Sequence, residues 1–140
     1  MAIPAVALAT GLYIAPAQAQ ATRTWASGVG DDANPCSCTV SCKTFAGAIS
    51  KAAAAGEINC LDSGGFGAVT ITKSIPIICT GVEAGVPVSE TNGIVINAVA
   101  TDTVALDGLD IEGFGTGLNG VNILSGKSVH ILCSSSRRFT

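Results

Sequence analysis

Charge and aromatic side chains are both scarce in this chain of 140 residues. Only 12% of its residues are charged and 4% are Phe, Trp or Tyr, where ordinary globular domains carry about 25% charge. Each shortage excludes something. Nucleic-acid surfaces need clustered Lys and Arg; 7 basic residues in a chain of net charge -3 do not supply them. Nor does any positive cluster offer a footing to anionic lipid. The single His, His130, leaves no Cys/His knuckle for structural zinc. No uncharged apolar run reaches the ~20 residues that cross a bilayer.

What the chain has instead is 17 Gly and abundant Ala and Val. High aliphatic content with little charge suits a chain buried on many faces, as in stacked parallel strands. The length fits one domain.

The first twenty residues, "MAIPAVALATGLYIAPAQAQ", carry no charge and end in Ala17-Gln18-Ala19. An apolar stretch before a small-x-small site predicts a signal peptide over 1–20, removed just before Gln20. The expected mature chain is therefore exported, secreted or periplasmic, with no membrane span.

Export bears on the six cysteines, Cys36, Cys38, Cys42, Cys60, Cys79 and Cys133. An even number in an oxidising compartment reads as disulfides. The Cys-x-Cys and Cys-x-x-x-Cys spacings do not match zinc knuckles. Cys36 and Cys42 can close a short loop, and Cys60 and Cys79 each end a strand-like run, so these two bonds are expected. Cys38 and Cys133 stay unassigned. No metal or cofactor is expected.

Residues 21–43 read as a cysteine-containing extended lead-in. "KTFAGAISKAAAAG" then places Phe45, Ala48, Ile49, Ala52 and Ala53 on one helical face, with Thr44 as cap and Gly56 as stop. This predicts a helix over 44–55.

Beyond Gly56 the period changes. "GAVTI" at 67–71, "NGIVI" at 92–96 and "NGVNI" at 119–123 recur at 25 and 27 residues. In phase with them, "KSIPI" at 73–77, "DTVAL" at 102–106 and "KSVHI" at 127–131 recur at 29 and 25. Short strands at a period of ~25, with no helix between, predict a solenoid of β-coils. Val69/Ile71, Ile94/Ile96 and Val121/Ile123 should stack as columns inside it. Asn92-Gly93 and Asn119-Gly120 should mark left-handed corners, and the helix should cover the first coil. Pro76 sits in a strand-like run where a ladder bond would be lost, so it is expected near its strand's start.

"CKTFAGAISKAAAAGEINCLDSGGFGAVTITKSI" followed by "NGIVINA…LDGLDIEG" resembles exported bacterial right-handed parallel β-helix proteins of the pectate-lyase-like superfamily, from about Trp25 to His130. The resemblance implies an all-β fold of about three coils behind a short capping α-helix, over 44–133. The pattern stops near Cys133. Residues 134–140, "SSSRRFT", are expected as an irregular tail of a truncated or frame-shifted chain whose intact form continues for several coils.

The chemistry is sparse. "LDGLDIEG" puts Asp110 and Glu112 on one strand face about 7 Å apart, with Asp107 nearby. That spacing could serve an inverting glycosidase, which makes these three the candidates for catalysis. The blander reading is the solvated outside of a strand. The resemblance implies clustered aspartates for calcium and a basic proton acceptor in a pectate lyase, yet the coils hold only Lys73 and Lys127. The Asn-Thr-Asp, Asp-Asp and Gly-His-Gly motifs of polygalacturonases are absent from them. His130 alternates with Val129 and Ile131 and should point outward, alone. Asp31, Asp32 and Asn34 read as an Asx-rich turn more readily than as a calcium site.

The reading adopted is an exported β-helix protein that acts as a non-catalytic structural or glycan-contacting surface module. Its partners would be polysaccharide or cell-surface components, with self-association through an uncovered C-terminal coil. The alternative is the N-terminal fragment of a polysaccharide lyase or glycoside hydrolase whose catalytic coils are missing.

Overall fold

The computed structural model describes residues 19–140, so residues 1–18 of the expected leader lie outside the described residues. Over the described part, 54% is strand and 6% helix. β1 (Ala21–Ala26) precedes the one helix, α1 (Phe45–Lys51), and β2 (Ala52–Cys60) follows it directly. Then come β3 (Gly64–Gly65), β4 (Val69–Ile71), β5 (Ile75–Ile78), β6 (Ala84–Pro87) and β7 (Asn92–Asn97). The last five are β8 (Thr103–Asp107), β9 (Leu109–Gly117), β10 (Asn119–Ser125), β11 (Ser128–Leu132) and β12 (Ser135–Phe139).

All pairings between these strands are parallel, and the strands form three separate sheets. The first has the order β1-β2-β5-β8-β11, the second β12-β9-β6-β3 and the third β10-β7-β4. From β2 onward the chain visits first, second and third sheet in unbroken rotation. Each circuit therefore lays every strand beside its counterpart one circuit earlier. Side-chain bonds between circuits, from Ser135 to Asp110, Asn119 to Asn92 and Ser125 to Asn97, join residues 25, 27 and 28 positions apart.

The repeats set the register. Val69 and Ile71 face Ile94 and Ile96, which in turn face Val121 and Ile123. Ile75 and Ile77 face Val104 and Leu106, and these face Val129 and Ile131. The inner rows are closed: Ile71, Ile77, Ile96 and Leu106 are fully buried. Removing a branched aliphatic side chain from water contributes about 1.5–3 kcal/mol, so the columns are the main source of cohesion.

Three expectations need correction. The helix ends at Lys51, not at 55; Ala52 is already extended, with φ -81 and ψ 138. Alanine's helix preference is overridden because β2 pairs with β1 on one side and β5 on the other. Gly56 is a close-approach residue in that strand, where a Cβ would lie 2.8 Å from the Thr22 carbonyl oxygen. Secondly, residues 134–140 are not irregular: Ser135–Phe139 is β12, paired with β9. Thirdly, Asn92-Gly93 and Asn119-Gly120 open strands β7 and β10 in ordinary extended backbone. Gly93 is needed for space, since a Cβ there would meet the Gly120 carbonyl oxygen at 2.6 Å. Within the extended lead-in, β1 pairs with β2 in the first sheet.

Pro76 is the second residue of β5, facing Ala105 of β8, while pairing with β2 begins only at Ile77. Its missing N–H falls outside the β2 ladder. Thr44 caps α1 by accepting the Gly47 N–H at 2.9 Å. Phe45, Ala48 and Ile49 are buried beneath it, and the Phe45 ring stacks on Phe66 at 5.0 Å.

Candidate functional site

The outer face of the second sheet gathers most of the charge on the later strands. Along β9, Leu109 and Ile111 are buried and Asp110 and Glu112 alternate outward, as strand geometry requires. β12 lies beside it, with Ser135 facing Asp110 and Arg137 facing Glu112. Arg137 bridges the two carboxylates, Nη2 to Asp110 at 2.6 Å and Nε to Glu112 at 2.9 Å. Ser135 Oγ donates to Asp110 at 2.6 Å.

A local irregularity adds a second guanidinium to the same face. The β12 register jumps after Arg137, so that Phe139 faces Gly117. Arg138, between them, has φ 55 and reaches Glu112 at 2.8 Å instead of pointing to the opposite side. On β9 the surplus residues 114–116 loop out. Phe114 (φ 51) and Gly115 (φ 83) form the tip, and the Phe114 N–H returns to Glu112 at 3.0 Å. The Phe114 ring is 58% exposed with the Arg138 guanidinium 5.7 Å from its centroid. The Phe139 ring sits on the bare backbones of Gly113 and Gly117, where any Cβ would come within 3 Å of it.

These donors fix the electrostatics of Glu112. The Arg138 hydrogen bond is the largest influence; with the Phe114 N–H, Arg137 and the Arg138 charge it outweighs desolvation and brings the pKa down to about 2. Arg138 is pushed further up by the same contact. Glu112 is thus an ionised acceptor at neutral pH. A glycosidase acid needs the opposite shift, upward towards neutrality.

Beside this network a groove of about 560 Å3 runs across the sheet. Gly64, Gly65 and Gly85 floor it, and Pro87, Phe114 and Arg137 stand along it. Three glycines remove the side chains that would fill the groove, which leaves a shallow trough next to an exposed ring and ordered charge.

Asp107, expected near the pair, lies on β8 in the first sheet. One of its oxygens, Oδ1, is buried with no hydrogen-bond partner among the described residues. His130 is exposed on β11 and contacts Ser128 Oγ at 3.2 Å. Asp32 is taken up by its own chain: its Oδ1 accepts from the N–H groups of Lys43 and Thr44, and its Oδ2 from the Thr44 hydroxyl. Desolvation pushes its pKa up, but these bonds and the Lys51 charge prevail and hold it low. Among the described residues no group of three His, Cys, Asp or Glu is placed to hold a metal ion.

Both expected disulfides are present, Cys36–Cys42 and Cys60–Cys79, with Cα separations of 4.7 and 4.8 Å. Cys38 and Cys133 are free and exposed. Among the described residues no helix is long and apolar enough to cross a membrane.

Arg137, Arg138, Phe114 and Phe139 were not expected at this site. A usable signal existed: Ser135 and Arg137 follow Asp110 and Glu112 at the 25-residue interval of the other repeats. No protein-family model matches the sequence, and no curated protein or solved structure matches the chain.

Proposed function

We propose that this chain is an exported right-handed parallel β-helix of the pectate-lyase-like kind, acting in the secreted or periplasmic space as a non-catalytic module that contacts glycans. The rotation of the chain through three parallel sheets supports the fold. Two disulfides fit an oxidising compartment.

One observation carries the glycan contact: the glycine-floored trough beside exposed Phe114 and the Arg137–Asp110–Glu112 network. An exposed ring offers a sugar's C–H face an apolar platform. Charged groups held in place by their partners offer fixed donors and acceptors to its hydroxyls, at little ordering cost. The carboxylates, bridged by one guanidinium, contact sugar without supplying a proton to it.

Affinity electrophoresis of the mature protein through gels containing acidic or neutral polysaccharides tests this. Retardation by at least one polymer, reduced by Phe114→Ala, is expected, with no release of unsaturated or reducing sugars, with or without calcium. Product release that disappears in Asp110→Ala would instead establish the lyase or hydrolase reading, and absence of retardation by every polymer would leave a purely structural module.

A further inference from the structure

On the outer face of the second sheet, Gly65 faces Gly85, Gly85 faces Asp110 and Asp110 faces Ser135, one row across all four strands. The row beside it holds Pro87, Glu112 and Arg137. The trough follows the glycine half of the first row, and its three floor glycines are not equivalent. A Cβ on Gly64 would lie 2.6 Å from the Gly28 Cα, and one on Gly85 would lie 3.3 Å from the Gly64 carbonyl oxygen. Close packing accounts for both. A Cβ on Gly65 would meet only the Pro87 ring, at 3.7 and 3.8 Å, which is ordinary contact, and Gly65 has no positive φ. The residue is also exposed. A strand glycine gives up side-chain packing and costs conformational entropy. With neither crowding nor backbone conformation to require it, the bare position at Gly65 serves to keep the trough floor open, as where a ligand approaches the backbone.

The charges around the trough do not cancel. Glu83, Asp110 and Glu112 line it, against Arg137 and Arg138. Both guanidiniums are taken up by Asp110 and Glu112, so Glu83 is the carboxylate left over. Its N–H donates to Ser63 Oγ at 2.9 Å, and its exposed side chain makes no ion pair among the described residues. Two guanidiniums against three carboxylates leave the trough with one negative charge.

We propose that the trough binds an uncharged polysaccharide, with sugar lying over Gly65 and against Phe114, and that Glu83 turns acidic polymers away. This rests on the glycan-contacting reading above and narrows it to one substrate class. A neutral sugar presents C–H faces and hydroxyls, and both find counterparts here. Phe114 and the Pro87 ring offer apolar surface, and Gly65 lets a flat ring come down to the backbone. The guanidinium N–H groups of Arg137 and Arg138 not used by Asp110 and Glu112 donate to hydroxyls, and the carboxylate oxygens accept from them. A uronate would bring a carboxylate to a site whose two cations are already engaged by its own chain. It would also meet the unpaired charge of Glu83. A like charge built against the wrong ligand is a general route to specificity, and Glu83 is placed to supply it. The remaining charged side chains of the trough only neutralise one another.

Affinity electrophoresis of the mature chain tests this in gels holding a neutral β-glucan, a neutral galactomannan or polygalacturonate. The ionic strength is set at about 0.01 M, where charge acts over about 30 Å. Retardation by a neutral polymer and none by polygalacturonate is expected. Gly65→Thr should weaken the neutral interaction by about tenfold or more with thermal melting no lower than in the native chain. Should that variant not fold, Gly65→Ala takes its place, with a smaller loss. Glu83→Lys should gain retardation by polygalacturonate that disappears in about 1 M salt, where screening is nearly complete. Val29→Lys with Val40→Lys changes the net charge by the same amount at side chains 92% and 43% exposed in the lead-in; it should gain none and keep the neutral interaction. Polygalacturonate retarding the native chain as strongly as a neutral polymer would overturn the proposal and leave glycan contact standing. So would unaltered neutral binding in the Gly65 variant, or a Glu83→Lys chain no more responsive to polygalacturonate than the lead-in control. Retardation by no polymer in any variant would remove the glycan reading itself, and this proposal with it.

Discussion

In the inner circuits the columns of branched side chains are closed above and below, whereas in the last circuit the same columns stand open. Ile94 and Ile96 lie between two neighbouring strands and are fully buried; Ile123, continuing the Ile96 row, has a neighbour on one side only. The residue types match, and so does the register. Only the number of neighbours differs. An apolar-x-apolar strand therefore encodes where it stacks, while its stabilising contribution depends on being covered from both sides.

The sharpest way to break this comparison is to truncate both rows. Ile94→Ala should cost about 2–5 kcal/mol by leaving a cavity between two circuits. Ile123→Ala, measured at protein concentrations low enough to exclude self-association, should stay within about 0.5 kcal/mol. Urea unfolding of the two variants provides the numbers, and equal losses would mean that the last circuit is as closed as the others.

The corner column gives a second contrast. Removing the Cys60–Cys79 bond with Cys60→Ala/Cys79→Ala should destabilise by about 2–4 kcal/mol, since it closes a loop of 19 residues. Cys133→Ser, at the same corner but with Gly108 between it and Cys79 and unbonded, should change stability by less than about 0.5 kcal/mol. Thermal melts of oxidised protein distinguish the two.

The smallest effect concerns how β12 is held on the last circuit. Glu112 falls from an ordinary pKa of 4.5 to about 2 in the folded chain. A depressed carboxylate stabilises above its unfolded pKa, and that stabilisation is lost as pH falls from 4.5 towards 2. The stability gap between the native chain and Glu112→Gln should therefore be constant near neutrality, close over that acid window and shrink with added salt, because both arginines are largely exposed. A gap that persists at pH 2 would place the carboxylate's effect elsewhere.

The repeats were legible because strands that pair in parallel with the strand three elements earlier write their period into the chain. "NGIVI" and "NGVNI" are in register in space because they are in register in sequence. The Cys36–Cys42 and Cys60–Cys79 bonds were legible too, one from its short loop and one from its strand ends. The helix boundary was not. "AAAAG" favours helix locally, and only the strands on either side of β2 pull it into a sheet. The charged face was half legible: Asp110 and Glu112 stood out by alternation, but their counter-ions lay in "SSSRRFT", a segment with no apolar alternation to mark a strand.

Residue pattern alone thus determined the β-rich, repeating character of the chain, its two disulfides and the side chains that form its columns, because those depend on period and composition. Tertiary structure decided where the helix stops, that 135–139 is a strand, and that two arginines occupy the carboxylate pair. The reason is physical: strand pairing in a parallel stack joins residues about 25 positions apart. A short segment such as β12 becomes a strand only when the edge of β9 is there to bind it.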